Sequence, residues 1–106
     1  MNPSDYCIVS TTTDTKENAE IIAQSLLQKK LVACVQSSVR DSSYRWHGKI
    51  ILTKEIHLQM KTKKSLFEMI QKEIEVLHTY DVPEIIMLPL LDANDFYLKW
   101  IDLETL

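Results

Sequence analysis

A regular alternation of apolar and polar residues marks the middle of the chain as one long β-strand. It runs from Lys49 to Lys61, and successive side chains of a strand point to its two opposite faces. One face carries Leu52, Ile56, Leu58 and Met60, and the other carries Glu55, His57, Gln59 and Lys61. The pattern predicts a strand with one buried face. Lys54 interrupts the apolar face, which predicts that this end of the strand leaves the core.

This strand is longer than the expected diameter of the folded chain. A compact chain of this size has a radius of gyration near ~13 Å and a diameter of roughly 33 Å, whereas about 13 extended residues span ~43 Å. The hairpin that turns at Gly48 should therefore overhang the core and expose Tyr44, Trp46, Ile50 and Ile51. An overhanging two-stranded ribbon is only marginally stable by itself. We expect a neighbouring subunit to cover it, in preference to a hairpin that folds back on itself.

Gly48 is the only glycine in the sequence, and this excludes several enzyme classes. The P-loop, the dinucleotide-binding fingerprint and the serine-hydrolase elbow each need more than one glycine. The H-E-x-x-H, C-x-x-C and EF-hand spacings are also absent. Without a catalytic constellation, the sequence predicts a protein that is not an enzyme.

The composition is that of an ordinary domain, with 45 % hydrophobic residues, 25 % charged residues and a net charge of −3. We expect a single domain over residues 1–106. The weakly acidic balance predicts no nucleic-acid partner, and no apolar run approaches the ~18 residues of a membrane helix. Residues 1–5 lack signal-peptide character, and two cysteines are too few for a disulfide framework. These features predict a cytoplasmic location with reduced thiols.

Shorter patterns predict the elements of the first half. Residues 6–13 are rich in β-branched and aromatic side chains, which favours a first strand. Asp14 and Glu17 have the spacing of a capping box, so we expect Asp14 to cap the first helix. Residues 31–35 are predicted to form a second strand. A polar stretch separates them from residues 44–46, where the sequence again favours a strand.

The second half completes a recognisable order of elements. Thr62 is the expected cap of a second helix, residues 84–90 form a fourth strand, and a third helix begins near Asn94 or Asp95. The order β-α-β-β-α-β plus a terminal helix predicts an α+β, ferredoxin-like (split β-α-β) fold with an antiparallel sheet. In that fold strand three separates Cys7 from Cys34 by ~9–10 Å, too far for a disulfide.

Several stretches of the sequence resemble the CutA divalent-cation-tolerance family. Between residues 7 and 101 they occur in the family's order and spacing. They are the K-L-x-A-C-like residues 30–34, the Y-x-W-x-G-K-like residues 44–49, the H-P-Y-x-x-P-E-I-like residues 78–85, Leu88-Pro89, and the Y-L-x-W-L-like residues 97–101. The resemblance implies a ferredoxin-like subunit in a homotrimer and a role in tolerance to copper and other divalent metals. Thr11 stands where some members carry a cysteine that has been suggested as a metal ligand.

His78 and Glu84 are the predicted metal ligands, since imidazole and carboxylate suit Cu(II) and other divalent metals. No cofactor is expected to be obligatory. The alternative is that His78 caps the second helix and that Glu84 pairs with a lysine. His57 and Glu55, two residues apart on one strand face, form a weaker candidate pair.

A second set of residues is assigned to an inter-subunit cleft or interface, where aromatic side chains with a polar edge are enriched. The set is Tyr44, Trp46, Lys49, Glu55, Lys61, Tyr80, Tyr97 and Trp100. Lys61, Lys63 and Lys64 also cluster at the expected start of the second helix, where an anion would be favoured. The alternative function is therefore a regulatory trimer, similar to PII-like proteins, that binds a small anion or nucleotide between subunits.

Overall fold

A four-stranded antiparallel sheet organises the computed structural model, which describes residues 1–106. The elements are β1 (Tyr6–Thr13), α1 (Lys16–Gln28), β2 (Cys34–Trp46), β3 (Lys49–Lys63), α2 (Phe67–Leu77), β4 (Ile85–Pro89) and α3 (Asp95–Glu104). Short 3₁₀ turns cover Pro3–Asp5 and Lys64–Leu66. The strand order β2-β3-β1-β4 is that of the split β-α-β arrangement, so the predicted α+β ferredoxin-like fold is confirmed.

The main core lies between α1, α2 and one face of the sheet. Cys7 and Val9 of β1 meet Leu58 and Met60 of β3 on this face, where all four are at most 1 % exposed. The helices contribute Ile22, Leu26, Ile70 and Ile74. A smaller cluster joins Tyr6 to Leu98 and Ile101 of α3. Because Tyr6 points away from the side of Cys7, α3 covers one end of the other sheet face.

The hairpin of β2 and β3 extends beyond this core, as the sequence predicts. The two strands have 13 and 15 residues, and the chain measures 46 × 26 × 21 Å. Val39, Ile50 and Leu52 on the hairpin are 68 %, 70 % and 76 % exposed. His47 and Gly48 form the turn with φ of 50° and 75°. Positive φ at both residues matches the twist of a two-residue hairpin turn.

Two predictions about the first half are wrong. Thr15, and not Asp14, caps α1, because its hydroxyl accepts a 3.1 Å bond from the amide of Asn18. The Asp14 carboxylate instead accepts a 2.9 Å bond from Thr79. The predicted strand at 31–35 is right only for its last two residues, because β2 starts at Cys34, and the predicted break after it is wrong, because β2 pairs with β3 continuously as far as Trp46. Hydrogen bonds to β3 hold the polar stretch in the extended conformation of a strand.

The predicted cap of the second helix is wrong too. Thr62 lies within β3, opposite Cys7, and its hydroxyl donates a 2.6 Å bond to the carbonyl of Leu31. Pairing with β1 extends β3 to Lys63, so α2 begins only at Phe67, without a side-chain cap. The prediction for the cysteines is confirmed, because β3 separates the strands that carry Cys7 and Cys34 and both thiols are free.

Candidate functional site

The sheet face that points away from α1 and α2 borders an open cavity of about 980 Å³. We call this face the open face. On three strands the lining residues occupy alternate positions: Ile8, Ser10 and Thr12 on β1, Glu55, His57 and Gln59 on β3, and Ile86 and Leu88 on β4. On β2 the cavity is lined by the consecutive residues Arg40, Asp41, Ser42, Ser43 and Tyr44, and by Trp46. The segment from Thr79 to Glu84, which leads into β4, forms one rim. The cavity therefore lies between the base of the hairpin and this segment.

Glu55 is the most deeply buried charged side chain at the cavity. It is only 7 % exposed, and its Oε2 accepts a 2.7 Å hydrogen bond from the hydroxyl of Tyr80. Burial, reinforced by this bond to a carboxylate, raises the pKa of Tyr80. Tyr80 is therefore a donor at neutral pH, and it positions the Glu55 carboxylate at the cavity wall.

His57 lies beside Glu55 on the same strand face and is 9 % exposed. Burial lowers the pKa of its imidazole and the positive charge of Arg40 lowers it further, whereas Glu84 acts in the opposite direction. The ring is therefore neutral at pH 7, with one N–H donor and one nitrogen acceptor. Neither nitrogen makes a hydrogen bond within the chain, and since Thr11 Oγ1 is the only buried side-chain atom without a partner, the His57 nitrogens reach the solvent of the cavity.

His78 has a different environment from the one a metal ligand needs. It lies at the C-cap of α2, as the alternative interpretation predicts, and its backbone N–H donates to Ile74 at 2.8 Å. Its Nδ1 accepts from the amide of Tyr80 at 3.0 Å, and its Nε2 is 2.7 Å from the carbonyl oxygen of Thr12. Since Nδ1 accepts, Nε2 carries the proton and donates. A metal ion at this ring would have to displace one of these bonds.

The structure does not bring the two predicted metal ligands to the same cavity. Glu84 lines the open-face cavity, and His78 does not. Glu84 also takes part in none of the four ion pairs, so the predicted pairing with a lysine is wrong. No three His, Cys, Asp or Glu side chains are grouped so that they could hold a metal ion. The residues of one chain do not build a closed metal site, and the metal assignment stays a prediction.

The residues assigned to a subunit cleft divide into two groups in space. Tyr44, Trp46, Glu55 and Tyr80 all line the open-face cavity. Lys49 is at the hairpin turn, and the ammonium group of Lys61 contacts the side-chain oxygen of Gln36. Tyr97 and Trp100 lie on α3, with ring centroids 5.5 Å apart. Their assignment to an interface stays a prediction.

The predicted anion site at the start of the second helix lacks the geometry that suggested it. Lys61 and Lys63 belong to β3, and α2 begins only at Phe67. Lys63 also pairs with Asp102 at 3.4 Å. Of the three lysines only Lys64 lies near the start of the helix, in the 3₁₀ turn that leads into α2.

Arg40 is the cavity residue that the sequence interpretation misses. The sequence pattern places it in a polar stretch between strands, but the register places it directly opposite Glu55. The sequence does contain one indication of this position. Arg40 and Tyr44 are four residues apart, so in a continuous strand their side chains point to the same face. Only the pairing with β3 reveals that the intervening serines also belong to the strand.

Comparison with known proteins decides the family. Residues 7–104 match the family model described as CutA1 divalent ion tolerance protein. The chain belongs to the CutA1 family. It is 41 % identical over 98 residues to the divalent-cation tolerance protein CutA of Pyrococcus horikoshii, covering 92 % of this chain and 96 % of that protein.

Solved CutA structures have the same fold. The crystal structure of CutA1 from Oryza sativa superposes with a TM-score of 0.94 at 34 % identity, covering 100 % of this chain and 98 % of that one. The Archaeoglobus fulgidus structure, named a periplasmic divalent cation tolerance protein CutA, has a TM-score of 0.92 at 33 % identity, covering 93 % and 97 % of the two chains. In the present chain, none of the helices has the length and apolar character needed to cross a membrane.

Thr11, the position at which the resemblance implies a cysteine in some relatives, lies in the core. The side chain is fully buried on the core side of β1, and its hydroxyl has no hydrogen-bond partner. Its neighbours in register are Leu58 and Ile85, both apolar. Thr11 therefore faces away from the open-face cavity.

Proposed function

We propose that this chain is a non-enzymatic, cytoplasmic subunit of a homotrimer that acts in tolerance to divalent cations, copper among them. The observation that carries the proposal is the overhanging hairpin, because it exposes large apolar side chains that a single subunit has no means of covering. Membership of the CutA1 divalent ion tolerance family supports the link to metals.

The exposed hairpin supports self-association on energetic grounds. Ile50 and Leu52 are 70 % and 76 % exposed, and Trp46 is 43 % exposed. Burying one such side chain contributes about 1.5–3 kcal/mol, so three copies of the hairpin supply a large driving force. β2 and β4 are the outer strands of the sheet, and each has an unpaired edge that another copy can use.

Light scattering at micromolar concentration tests the assembly. We expect a particle with three times the 12.3 kDa mass of one chain. A monomer at that concentration would refute the proposed trimer and, with it, the interpretation of the hairpin. A dimer would retain the covered hairpin but refute the threefold assembly.

Copper binding is the second part of the proposal. The neutral, unpartnered imidazole of His57 lies near Glu55 and Glu84 on one cavity, and nitrogen and oxygen donors suit Cu(II). His78 is the sequence-based candidate, but both of its nitrogens are already engaged. Since one chain offers fewer than three grouped donors, water or a second copy must complete the coordination.

Calorimetric titration with Cu(II) distinguishes the two histidines. We expect His57→Ala to remove the tightest sites and His78→Ala to leave their affinity within about threefold, because ligation at His78 costs an existing hydrogen bond. His47→Ala at the exposed hairpin turn is the matched control. Loss of binding in His78→Ala alone would restore the sequence-based assignment. A flat isotherm for the wild type would mean that the link to metal is indirect.

The competing function is a regulatory trimer that binds a small anion or nucleotide. Arg40 on the open face is the feature that favours it. Thermal shift with a panel of divalent metals, against a panel of phosphate-bearing metabolites, separates the two, since a ligand of the folded state raises the apparent stability.

A further inference from the structure

We infer that Asn18 is a positioning residue for the subunit interface, because its side chain anchors the segment 79–84 and so places Tyr80 at the open face. The inference rests on the proposed homotrimer, to whose interface Tyr80 and Glu55 are assigned. Asn18 itself lies between β1, α1 and α2, away from the face that a neighbouring subunit is proposed to cover. Its role is to hold an interface segment in place without being part of the interface.

The segment 79–84 has few hydrogen bonds of its own. It connects α2, which ends at Leu77, to β4, which begins at Ile85. None of its backbone groups forms a hydrogen bond with another backbone group. Only its first two residues, Thr79 and Tyr80, take part in hydrogen bonds at all. The position of the segment therefore depends on how the chain is held where it leaves α2.

The two residues after α2 are hydrogen-bonded to the connection between β1 and α1. Nε2 of His78 donates to the carbonyl oxygen of Thr12 at 2.7 Å, and the hydroxyl of Thr79 donates to Asp14 Oδ1 at 2.9 Å. Thr79 and Asp14 are both exposed, so water competes for the second of these bonds. A more buried attachment is needed to fix the direction in which the chain leaves the helix.

Asn18 supplies that attachment. It is 6 % exposed, and its Nδ2 donates a 2.9 Å hydrogen bond to the carbonyl oxygen of Leu77, the last residue of α2. Its Oδ1 accepts a 2.7 Å bond from the hydroxyl of Thr13 on β1, which is 0 % exposed. The last carbonyls of a helix have no partner within the helix, and a carbonyl oxygen only accepts. Asn18 therefore satisfies the end of α2 and joins it to the sheet.

The anchored segment places Tyr80 for its contact with the hairpin. The amide of Tyr80 donates to His78 Nδ1 at 3.0 Å, and its hydroxyl donates to Glu55 Oε2 at 2.7 Å. A surface that already has its bound conformation loses less conformational entropy when a partner covers it. Asn18 therefore favours association of the subunits through the position of Tyr80.

Asn18→Asp in the full chain tests the inference. The new carboxylate keeps an oxygen that accepts from Thr13 but loses the donor to Leu77. We expect the Tyr80 amide hydrogen to exchange faster by at least ~tenfold more than the amide of Val9, which is buried in β1, does. The concentration at which subunits dissociate should also rise at least ~tenfold. NMR-detected hydrogen exchange and sedimentation equilibrium measure the two effects. Equal acceleration at both amides would indicate a general loss of stability and overturn the inference.

Two further variants complete the test. Asn94→Asp is the matched control, because Asn94 precedes α3 and its side chain makes no capping hydrogen bond, and it should leave both readouts within ~twofold of the wild type. Thr79→Val removes the bond to Asp14 at an exposed residue, and it should accelerate exchange of the Tyr80 amide at least ~threefold. This variant keeps the test decisive if Asn18→Asp fails to fold.

The failures of the two proposals are distinguishable. Unchanged exchange of the Tyr80 amide in whichever of the two variants folds would overturn the anchor. Faster exchange without easier dissociation would overturn the link between the anchor and the interface. Light scattering of the wild type reports separately on the proposed trimer, because it depends on neither variant.

Discussion

The hydroxyl of Tyr80 donates a 2.7 Å hydrogen bond to Glu55 Oε2, and this contact joins the segment before β4 to the long hairpin. The two residues are 25 positions apart in the sequence. The backbone N–H of Tyr80 donates a hydrogen bond to Nδ1 of His78. Nε2 of the same ring is hydrogen-bonded to the carbonyl oxygen of Thr12 on β1. One rim of the open-face cavity is therefore fixed by a chain of hydrogen bonds that runs from β1 to β3.

Tyr80→Phe should destabilise the protein by about 1–2 kcal/mol, because it removes a hydrogen bond to a buried carboxylate. Urea unfolding at a fixed protein concentration measures the change. Tyr44→Phe is the matched control, since the hydroxyl of this cavity tyrosine makes no hydrogen bond in the chain, and it should change the free energy of unfolding by less than about 0.5 kcal/mol. Equal stabilities of Tyr80→Phe and the wild type would show that the Tyr80–Glu55 bond contributes nothing net.

His57 should make the protein less stable in mild acid. Its folded-state pKa is below the unfolded value of about 6.5 because of burial and Arg40. The unfolded state therefore binds more protons in this range, and stability falls as the pH drops below ~6.5 towards the folded pKa. The difference in unfolding free energy between wild type and His57→Gln, measured from pH 8 to 5, should shrink or reverse in acid. A difference that stays constant from pH 8 to 5 would contradict the lowered pKa of His57.

Thr11→Val should stabilise the protein by about 1 kcal/mol, because it replaces a buried hydroxyl that has no hydrogen-bond partner with a methyl group of similar size. Thr62→Val provides the opposite case. Both threonines are 0 % exposed, but the hydroxyl of Thr62 donates to the carbonyl of Leu31. Thr62→Val should therefore cost about 1–2 kcal/mol in the same thermal or urea unfolding experiment. If both variants lose stability equally, the Thr11 hydroxyl has a partner in solution.

The two thiols should react at very different rates in the native protein. Burial raises the pKa of the Cys7 thiol to about 11, whereas Cys34 is partly exposed. Since the thiolate is the reactive form, iodoacetamide at pH 8 should label Cys34 first and Cys7 only after unfolding. Mass spectrometry without reductant should also find no intrachain disulfide. Rapid labelling of both cysteines under native conditions would contradict the buried position of Cys7.

Trp46→Ala should weaken the proposed trimer. Truncating an aromatic side chain that is buried in the assembly costs about 3–5 kcal/mol, and this should raise the concentration at which subunits dissociate. Phe96→Ala, on α3 and 87 % exposed, is the control for the loss of an apolar side chain away from the hairpin. Sedimentation equilibrium over a concentration series measures both. Dissociation curves that coincide for Trp46→Ala and the wild type would place the hairpin tip outside the interface.

Much of the fold follows from patterns that the sequence carries locally. The alternation in β3 is a property of single residues and their neighbours, so it predicts the strand, its buried face and the exposed end beyond Lys54. The position of β1 follows in the same way from its β-branched and aromatic residues. The overhang follows from strand length alone, and the 46 Å long axis of the chain agrees with it.

The caps of the helices show where local patterns fail. Asp14 and Thr62 both have the spacing of a cap, but each finds a stronger partner elsewhere in the fold, Asp14 in Thr79 and Thr62 in the carbonyl of Leu31. The side chain of a possible cap residue can form a hydrogen bond either with a nearby helix N–H or with a group that is distant in the sequence. The spacing of residues along the chain indicates only the nearby partner.

The sequence by itself therefore determined the order of the elements, the long strand and the side chains that could carry charge at a site. Only the tertiary structure decided which of them meet. Antiparallel pairing of β2 with β3 placed Arg40 opposite Glu55, and the approach of β4 to β1 brought Glu84 near His57 and left His78 bonded to Thr12. The physical reason is that periodicity reports which face a residue occupies, whereas contact between faces depends on strand register and on hydrogen bonds between residues distant in sequence.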